Sequence, residues 1–412
     1  MQHKFPKGFL WGAASAAHQV EGGLVNDWSR WELKSANDLA RQGKERWNEE
    51  KRKLFPGITE SKNYISGRAC DHYHRYKEDF LLAKQLGHNA TRISVDWSRI
   101  EPREGVFVQK ELDHYLEVVK YLEEMGIEPM VTLWHWPLPL WLADKGGWKD
   151  KKTVEYFVRF SRKVVNALKS KVSFWLTLNE PEVYAANSYF IGEWPPQEKN
   201  IFSAWSVLNN LIAAHCQVYE AIKFLDKKAR VGLAKQMAYF ENADGKWLTQ
   251  LVQDAKDYYW NQYVLKKTKD KLDFFGLNYY FHEKQFGWGV RNDDESRSDL
   301  DWELFPQGIY NVLLDLKKYD FPVYITENGL ADAFDKDRTW FIEKSLQAVA
   351  RAMQQGVDVR GYLHWSLTDN FEWNRGFWPR FGLIEIDYKT LERKIRPSAW
   401  EYKIIINNGI GV

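Results

Sequence analysis

Two glutamates stand at places in the sequence where their carboxyl groups could act together on one bond. Glu180 lies in the segment Thr177–Pro181, and Glu327 lies in the segment Ile325–Gly329. Each glutamate follows a short β-rich run and precedes residues that favour a turn, so each is predicted at the end of a strand. One carboxylic acid can protonate a leaving oxygen while the other carboxylate attacks carbon or activates water. The pair therefore predicts acid–base and nucleophilic chemistry in one pocket.

The chain of 412 residues alternates short β-rich segments with helical patterns along its whole length. Eight strands are predicted, over residues 9–14, 90–95, 129–134, 172–178, 230–234, 273–278, 322–326 and 359–365. Helices are predicted over residues 71–86, 110–125, 152–169, 201–225, 308–318 and 339–355. Eight such units without a second class of composition favour a closed barrel. We predict an α/β fold, a single (β/α)8 TIM barrel with elaborated βα loops that forms one catalytic domain over residues 1–412.

A barrel would bring the two glutamates together, because barrel enzymes carry their chemistry at the C-terminal strand ends. Glu180 ends the fourth strand and Glu327 the seventh, so both can point into one central pocket. Hydrolysis of a glycosidic bond needs such a pair of carboxyl groups. Arg92 at the end of the second strand is predicted to keep Glu327 ionised. Asn179 is predicted to donate to a sugar 2-hydroxyl group.

The remaining strand ends offer groups that suit a polyhydroxylated ring. They supply amide, imidazole, phenol, carboxyl and indole groups from the segments His18–Gly22, Thr132–Trp136, Gly276–Tyr280 and Trp365–Trp373. Taken singly each residue is a weak signal, and a lone His135 is more often structural. The chain is 16% aromatic with 21 tryptophans, and composition alone does not separate core rings from platforms for sugars.

Composition excludes several other classes of protein. The formal net charge of +2 gives no indication of a nucleic-acid or anionic-membrane partner. No apolar run has the ~20 residues that span a bilayer, and the signal-like residues 9–17 are interpreted as the first strand. Cys70 and Cys216 are too few for a disulfide framework or a zinc site, although one bridge between them stays open. We therefore expect a cytoplasmic protein.

Three segments are predicted to elaborate the barrel. Residues 34–62 are rich in charge and are expected to carry a surface helix with a solvated face. Residues 242–271 are polar with a helical pattern. Residues 282–301 are rich in Asp, Ser and Gly and are expected to form a loop over the barrel top.

Several motifs together make the sequence resemble glycoside hydrolase family 1 β-glycosidases, from residue 5 to about residue 400. The matching segments are Phe5–Gly12, Gln19, Glu21–Gly22, Cys70–Asp79, Arg92–Arg99, Thr177–Pro181, Gly276–Tyr280, Ile325–Gly329, Trp365–Trp373 and Arg380–Leu383. The resemblance implies a retaining β-glycosidase that cleaves terminal non-reducing β-D-glycosides: β-glucosides, and also β-galactosides and β-fucosides. It does not rank glucose, galactose, fucose and mannose, and it leaves the oligomeric state open.

The resemblance also assigns roles to individual residues. It makes Glu180 the general acid/base and Glu327 the nucleophile, with Tyr280 hydrogen-bonded to Glu327. The residues implied to hold or stack on the substrate are Gln19, His135, Asn179, Asn278, Tyr280, Trp302, Trp365, Glu372 and Trp373. Family members need no metal or cofactor, so neither is expected, and the pair His72 and His74 is interpreted as structural.

Two features bear on the substrate. Glu372 follows the pattern of enzymes for neutral sugars, because the 6-phosphosugar enzymes of the family typically carry Ser there. Glu182 stands where many members carry Trp, and the chain is short for the family, which predicts a more open leaving-group side. A barrel that binds sugars without catalysis is the alternative, but such relatives usually lack one of the two glutamates. A retaining mechanism predicts carboxyl groups ~5–5.5 Å apart.

Overall fold

The protein folds into a closed barrel of eight parallel strands. The computed structural model describes residues 2–292 and 296–411. The barrel strands β1 to β8 are Leu10–Ala14, Ala90–Ser94, Glu128–Trp134, Phe174–Asn179, Arg230–Asn242, Phe274–Phe286, Val323–Asn328 and Val359–Trp365. Each strand pairs in parallel with the next, and β8 pairs with β1 to close the barrel. The predicted (β/α)8 TIM barrel is confirmed.

Helices surround this barrel. The main helices α1 to α9 are Asp27–Arg46, His72–Gln85, Gln109–Glu124, Lys152–Leu168, Ile201–Leu225, Trp247–Asp257, Gly308–Leu316, Arg338–Gln354 and Pro397–Asn408. The six predicted helices agree with these bounds to within two residues. None of the helices within residues 2–292 and 296–411 combines the length and the apolar character needed to cross a bilayer.

The strand predictions were wrong at β5 and β6, which extend well beyond residues 234 and 278. The two strands remain paired as far as Asn242 opposite Gln285, so they project above the barrel as a parallel ribbon. Residues 282–290 are therefore not a loop, because β6 runs to Phe286 and then pairs with the short antiparallel strand Gly289–Val290. Residues 293–295 of the predicted loop lie outside the described residues.

The charged segment over residues 34–62 belongs to a longer element than predicted. Helix α1 begins at Asp27, because the side chain of Asn26 accepts from the Ser29 backbone N–H and caps the helix. The helix also buries Trp28, so it is not only a solvated face. A second short helix, Glu49–Leu54, follows.

The segment over residues 242–271 is helical as predicted. Helix α6 runs into a π-helical turn, Tyr258–Gln262, and a further helix, Tyr263–Thr268.

An apolar layer fills the interior of the barrel beneath the strand ends. Its members are Leu10, Ala90, Met130, Phe174, Leu176, Ala234, Phe274, Tyr324 and Leu363. Gly232 makes room for the Phe274 ring, since a Cβ at that position would come within 2.6 Å of it. Bulky rings opposite glycines thus close the barrel floor, and the buried polar residues Arg92, Asn179 and Glu327 stand at the strand ends.

Candidate active site

Glu180 occupies a sharp turn at the end of β4. Its φ of +42° lies in the left-handed region, and the residue forms the N-terminal boundary of the short helix Pro181–Ala185. Its backbone N–H donates to the carbonyl of Ala234 on β5 at 2.8 Å. The side chain is buried and accepts from Asn278 Nδ2 at 2.7 Å. A positive φ is strained for a residue with a side chain, so the surrounding contacts must stabilise this turn.

Glu327 lies near the end of β7 and is held by two donors. The guanidinium of Arg92, which is fully buried, donates to Oε1, and the Tyr280 hydroxyl donates to Oε2 at 2.8 Å. The charge of Arg92 and the two hydrogen bonds favour the ionised form of the carboxyl group. The structure thus brings together Arg92, Tyr280 and Glu327 as the sequence predicts.

The two carboxyl groups differ in their affinity for a proton. Burial raises the pKa of Glu180 well above its usual range, and the negative charge of Glu327 raises it further. Burial also raises the pKa of Glu327, but there Arg92 and Tyr280 act in the opposite direction. One proton shared by the pair therefore resides on Glu180 and leaves Glu327 as the anion.

A network of buried amides and one imidazole joins the two carboxyl groups. The Oδ1 atom of Asn179 accepts from Arg92 at 2.7 Å and from Asn278 at 3.2 Å, so its Nδ2 must donate. That Nδ2 lies 3.0 Å from Nε2 of His135. Burial and the charge of Arg92 lower the pKa of His135 well below its usual range. His135 is therefore neutral, accepts at Nε2 and carries its proton on Nδ1.

Gln19 contacts Glu372, which lines the same pocket. Nε2 of Gln19 donates to the carbonyl of Phe371 at 2.8 Å and lies 3.5 Å from Oε2 of Glu372. Oε1 of Gln19 is buried and has no hydrogen-bond partner within the described residues. Burial raises the pKa of Glu372 to about 8, and the negative charge of Glu327 adds to the effect. An amide oxygen that no described residue engages thus lies close to the carboxyl group of Glu372, which lines the cavity.

The two predicted tryptophans of the last strand end are buried in the pocket walls. Trp373 stacks on the His135 ring with centroids 6.0 Å apart and packs on Trp28 of α1 at 4.6 Å. Trp365 also stacks on the His135 ring, with centroids 6.1 Å apart. Rings locked in this way offer rigid apolar faces beside the polar network.

The glutamates, His135 and the tryptophans line one cavity of about 370 Å³. Trp302, whose loop matches the family less well, also lines it and packs on Phe281 with ring centroids 4.7 Å apart. Sequence reasoning missed a further set of lining residues, which are Asn187, Ile191, Glu193, Trp194, Gln236, Trp260, Phe281 and Glu283. They come from the connection after β4, from the ribbon of β5 and β6, and from the π-helical turn. No strand-end pattern marks these places.

The other candidate groups of the sequence have structural partners. His72 pairs with Asp79 at 2.6 Å and His74 with Asp71 at 2.7 Å. Cys70 is buried and Cys216 partly buried, and both are free thiols. Within the part of the chain that the structure describes, no cluster of three or more His, Cys, Asp or Glu side chains could hold a metal ion.

Comparisons with known proteins agree with this geometry. The model of glycosyl hydrolase family 1 matches residues 1–266 and 246–410. Beta-glucosidase A of Thermotoga maritima is 33% identical over 99% of this chain and 99% of its own. A 6-phospho-beta-galactosidase of Clostridium acetobutylicum is 30% identical over 98% of this chain and 97% of its own.

A solved structure extends the comparison to the fold. Beta-glucosidase from Thermotoga maritima in complex with glucoimidazole superposes with a TM-score of 0.87 at 30% identity, over 99% of this chain and 100% of that one. The sequence alignment with beta-glucosidase A spans 460 positions, more than the 412 residues present here, so that relative carries additional segments. The chain belongs to glycosyl hydrolase family 1 and is a retaining glycoside hydrolase.

Proposed function

We propose that this enzyme removes neutral sugars from the non-reducing ends of β-D-glycosides, with Glu327 as nucleophile and Glu180 as general acid/base. The substrates are β-glucosides, and β-galactosides and β-fucosides are also cleaved. The observation that carries the proposal is the unequal setting of the two buried carboxyl groups. Arg92 and Tyr280 hold Glu327 as an anion, while burial keeps Glu180 protonated. That difference suits a nucleophile and an acid.

The reaction proceeds by double displacement. Glu327 attacks the anomeric carbon while the bond between that carbon and the leaving oxygen breaks, and Glu180 gives its proton to that oxygen. The product is a covalent glycosyl-enzyme and a free alcohol. Glu180, now a carboxylate, then takes a proton from water, which attacks the same carbon and releases the sugar and Glu327. Retention requires carboxyl groups ~5–5.5 Å apart.

The remaining residues bind the sugar. We assign the contacts with the sugar hydroxyl groups to His135 and Glu372, which line the cavity, and to Gln19, whose Oε1 is engaged by no described residue. Asn179 donates to the 2-hydroxyl group. Asn278 and Tyr280 fix the two carboxyl groups and border the reacting carbon. Three tryptophans that line the cavity are assigned to substrate binding. Trp365 and Trp373 lie beside the sugar, and Trp302 lies beside the leaving group.

A neutral sugar suits the charges around Glu372 better than a 6-phosphosugar. Glu193 also lines the cavity, and its carboxyl group already engages Arg375 at 3.4 Å and Asn374 at 3.0 Å. A phosphate dianion would therefore meet two carboxyl groups, and of the two arginines that line the cavity, Arg46 and Arg375, the second is already paired with Glu193. Sequence identity does not decide the matter, because relatives of both classes are similarly distant.

We further propose that the whole chain forms one catalytic domain that acts on small carbohydrates in the cytoplasm. The free thiols of Cys70 and Cys216 suit a reducing compartment. The eight barrel strands extend from residue 10 to residue 365, so the barrel uses most of the chain.

Release of p-nitrophenol tests the proposal. The substrates are p-nitrophenyl β-glucoside, β-galactoside, β-fucoside, β-mannoside and 6-phospho-β-glucoside, with Glu327→Ala as the control. Wild-type enzyme is expected to turn over the glucoside, and the variant to lose at least about four orders of magnitude in kcat. Activity on the phosphosugar alone would contradict the interpretation of Glu372. Wild-type protein without turnover on any of them would favour a sugar-binding barrel.

A further inference from the structure

A buried ion pair lies directly after Glu180 in the chain. Nζ of Lys235, on β5, is 3.0 Å from Oε1 of Glu182, and both side chains are fully shielded from solvent. Lysine and glutamate are almost never found fully buried unless they are paired. Neither residue belongs to the network that contacts the nucleophile.

The Lys235 ammonium joins three separate elements of the fold. Besides Glu182, which follows β4, it donates to the carbonyl of Gln236 at 3.0 Å and to the carbonyl of Trp260 in the π-helical turn. The indole N–H of Trp260 in turn donates to Oε1 of Gln236 at 2.8 Å. The turn after β4, strand β5 and the wall that carries Trp260 are thus connected through one charged group.

The turn that holds Glu180 contacts β5 at two places. The residue before Lys235 is Ala234, whose carbonyl accepts from the Glu180 backbone N–H at 2.8 Å. The turn is therefore attached to β5 once at residue 180 and again at residue 182. Glu180, Gln236 and Trp260 all line the cavity, so the attachment also sets the distance between the carboxyl group and this wall.

Stability alone is a poor reason for such a pair. The desolvation of two buried charges offsets most of their attraction, and apolar residues of similar volume are often as stable or more so. What a buried pair does provide is a fixed geometry, since each charge is tolerated only where its partner stands. The left-handed backbone of Glu180 is a position that needs this kind of support.

We propose that the Glu182–Lys235 ion pair positions the acid/base Glu180 against the leaving-group wall formed by Gln236 and Trp260. The proposal rests on the role of Glu180 given above. Glu182 and Lys235 act through Glu180 and touch no reacting atom. The departure of Glu182 from the residue that many family members carry is thus matched by a partner, Lys235, on the neighbouring strand.

The consequence is a dependence on the leaving group. A dinitrophenolate departs without a proton, whereas an alkoxide needs the proton of Glu180. A displacement of the acid of about 1 Å can cost up to about 100-fold in rate. Loss of the pair should therefore slow the cleavage of alkyl glycosides far more than the cleavage of dinitrophenyl glycosides.

The test compares kcat/KM for 2,4-dinitrophenyl β-glucoside with kcat/KM for octyl β-glucoside, and the readout is the ratio of the two. The main variant is Glu182→Leu/Lys235→Met, because Lys235→Met alone would leave a buried, unpaired carboxyl group. The control is Lys223→Met/Asp273→Asn, which removes another lysine–carboxylate pair, 2.9 Å apart and partly exposed. That pair joins α5 to the residue before β6, far along the chain from the Glu180 turn. Glu180→Ala serves as the reference for complete loss of the acid.

The main variant is expected to raise the ratio by about tenfold or more, and the control pair by less than about twofold. Glu182→Gln, which keeps an oxygen for Lys235, is expected to stay within about threefold of wild type. A main variant with an unchanged ratio, beside a raised ratio for Glu180→Ala, would overturn the positioning role alone. An unchanged ratio for Glu180→Ala would overturn the role of Glu180 itself.

Discussion

The two ends of the cavity are built in different ways. On the side proposed for the sugar, Gln19, Asn179 and Arg92 are fully buried, come from barrel strands or from the short helix that follows one, and hydrogen-bond one another or their neighbours. On the leaving-group side, Trp302 and Trp260 are only partly buried and come from long connections between strands. In the proposed function, the barrel strands hold the reacting groups and the connections contact the leaving group.

This difference has a physical cause. A buried hydrogen-bonding group that loses its partner is destabilised by the full cost of its desolvation, so the members of a buried network depend on one another. A partly exposed ring contributes mainly its own contact area, and its replacement alters binding without disturbing the fold. Substitutions at the two ends should therefore differ in size and in kind, and three activity measurements can test that contrast.

The largest effect is expected for Glu180→Gln. For alkyl β-glucosides kcat/KM should fall about 10²- to 10⁴-fold, because the leaving oxygen no longer receives a proton. The wild-type profile of kcat/KM against pH should be a bell. Its acidic limb reflects protonation of Glu327, and its basic limb reflects loss of the proton that the raised pKa keeps on Glu180. The basic limb should vanish in the variant, and full activity on alkyl glycosides would refute the assignment.

A smaller loss is expected at the sugar end for Gln19→Ala. Its Nε2 donates to the carbonyl of Phe371 and lies 3.5 Å from Oε2 of Glu372, and its Oε1 has no hydrogen-bond partner within the described residues, so the proposed function leaves that oxygen to a sugar hydroxyl group. We expect kcat/KM for p-nitrophenyl β-glucoside to fall by about 10- to 100-fold, as the loss of hydrogen bonds to a buried site implies. The loss should be equal for every leaving group. A loss that varied with the leaving group would break the division between the two ends.

The smallest change in activity is expected for Trp302→Ala on the leaving-group side. The indole packs on Phe281 and Tyr280 and borders the cavity, so its removal takes away one apolar face. We expect KM for cellobiose to rise about three- to tenfold with little change in kcat, from the usual strength of an aromatic contact. The matched comparison is a methyl β-glucoside, which is too small to reach this ring and should be unaffected.

The same contrast explains what the sequence could and could not predict. Glu180 follows a buried strand, and Glu327 and Arg92 lie in the C-terminal parts of two others, where barrel enzymes place their chemistry, so position alone marks them. The ribbon of β5 and β6 was missed, because residues 238–242 and 281–286 run almost directly into the turn-forming residues Asp244-Gly245 and Gly287, which favour a loop.

Long-range partners leave even less trace in the sequence. Glu182 is conspicuous as a departure from the family, but nothing near it in the chain points to Lys235, which reaches it only through the pairing of β4 with β5. Trp260 faces the cavity because of a π-helical turn, and the helical pattern of residues 242–271 does not reveal that turn. Periodicity reports the environment of a segment, whereas these contacts depend on which segments meet.

The buried carboxyl group of Glu372 should also make the stability of the folded protein depend on pH, which can be measured without any substrate. Burial raises the pKa of Glu372 from its ordinary value near 4.5 to about 8, so between these values the folded protein holds a proton that the unfolded chain releases. The stability contributed by this group is fully present below about pH 4.5 and is lost as the pH rises to about 8.

The variant Glu372→Gln tests this, because glutamine has no carboxyl group that ionises. Its Tm relative to wild type should rise by a few degrees between pH 5 and pH 8 and then level off. Glu385→Gln, at an exposed glutamate, should show no such difference from wild type. An equal trend in both variants would mean that burial does not hold Glu372 neutral.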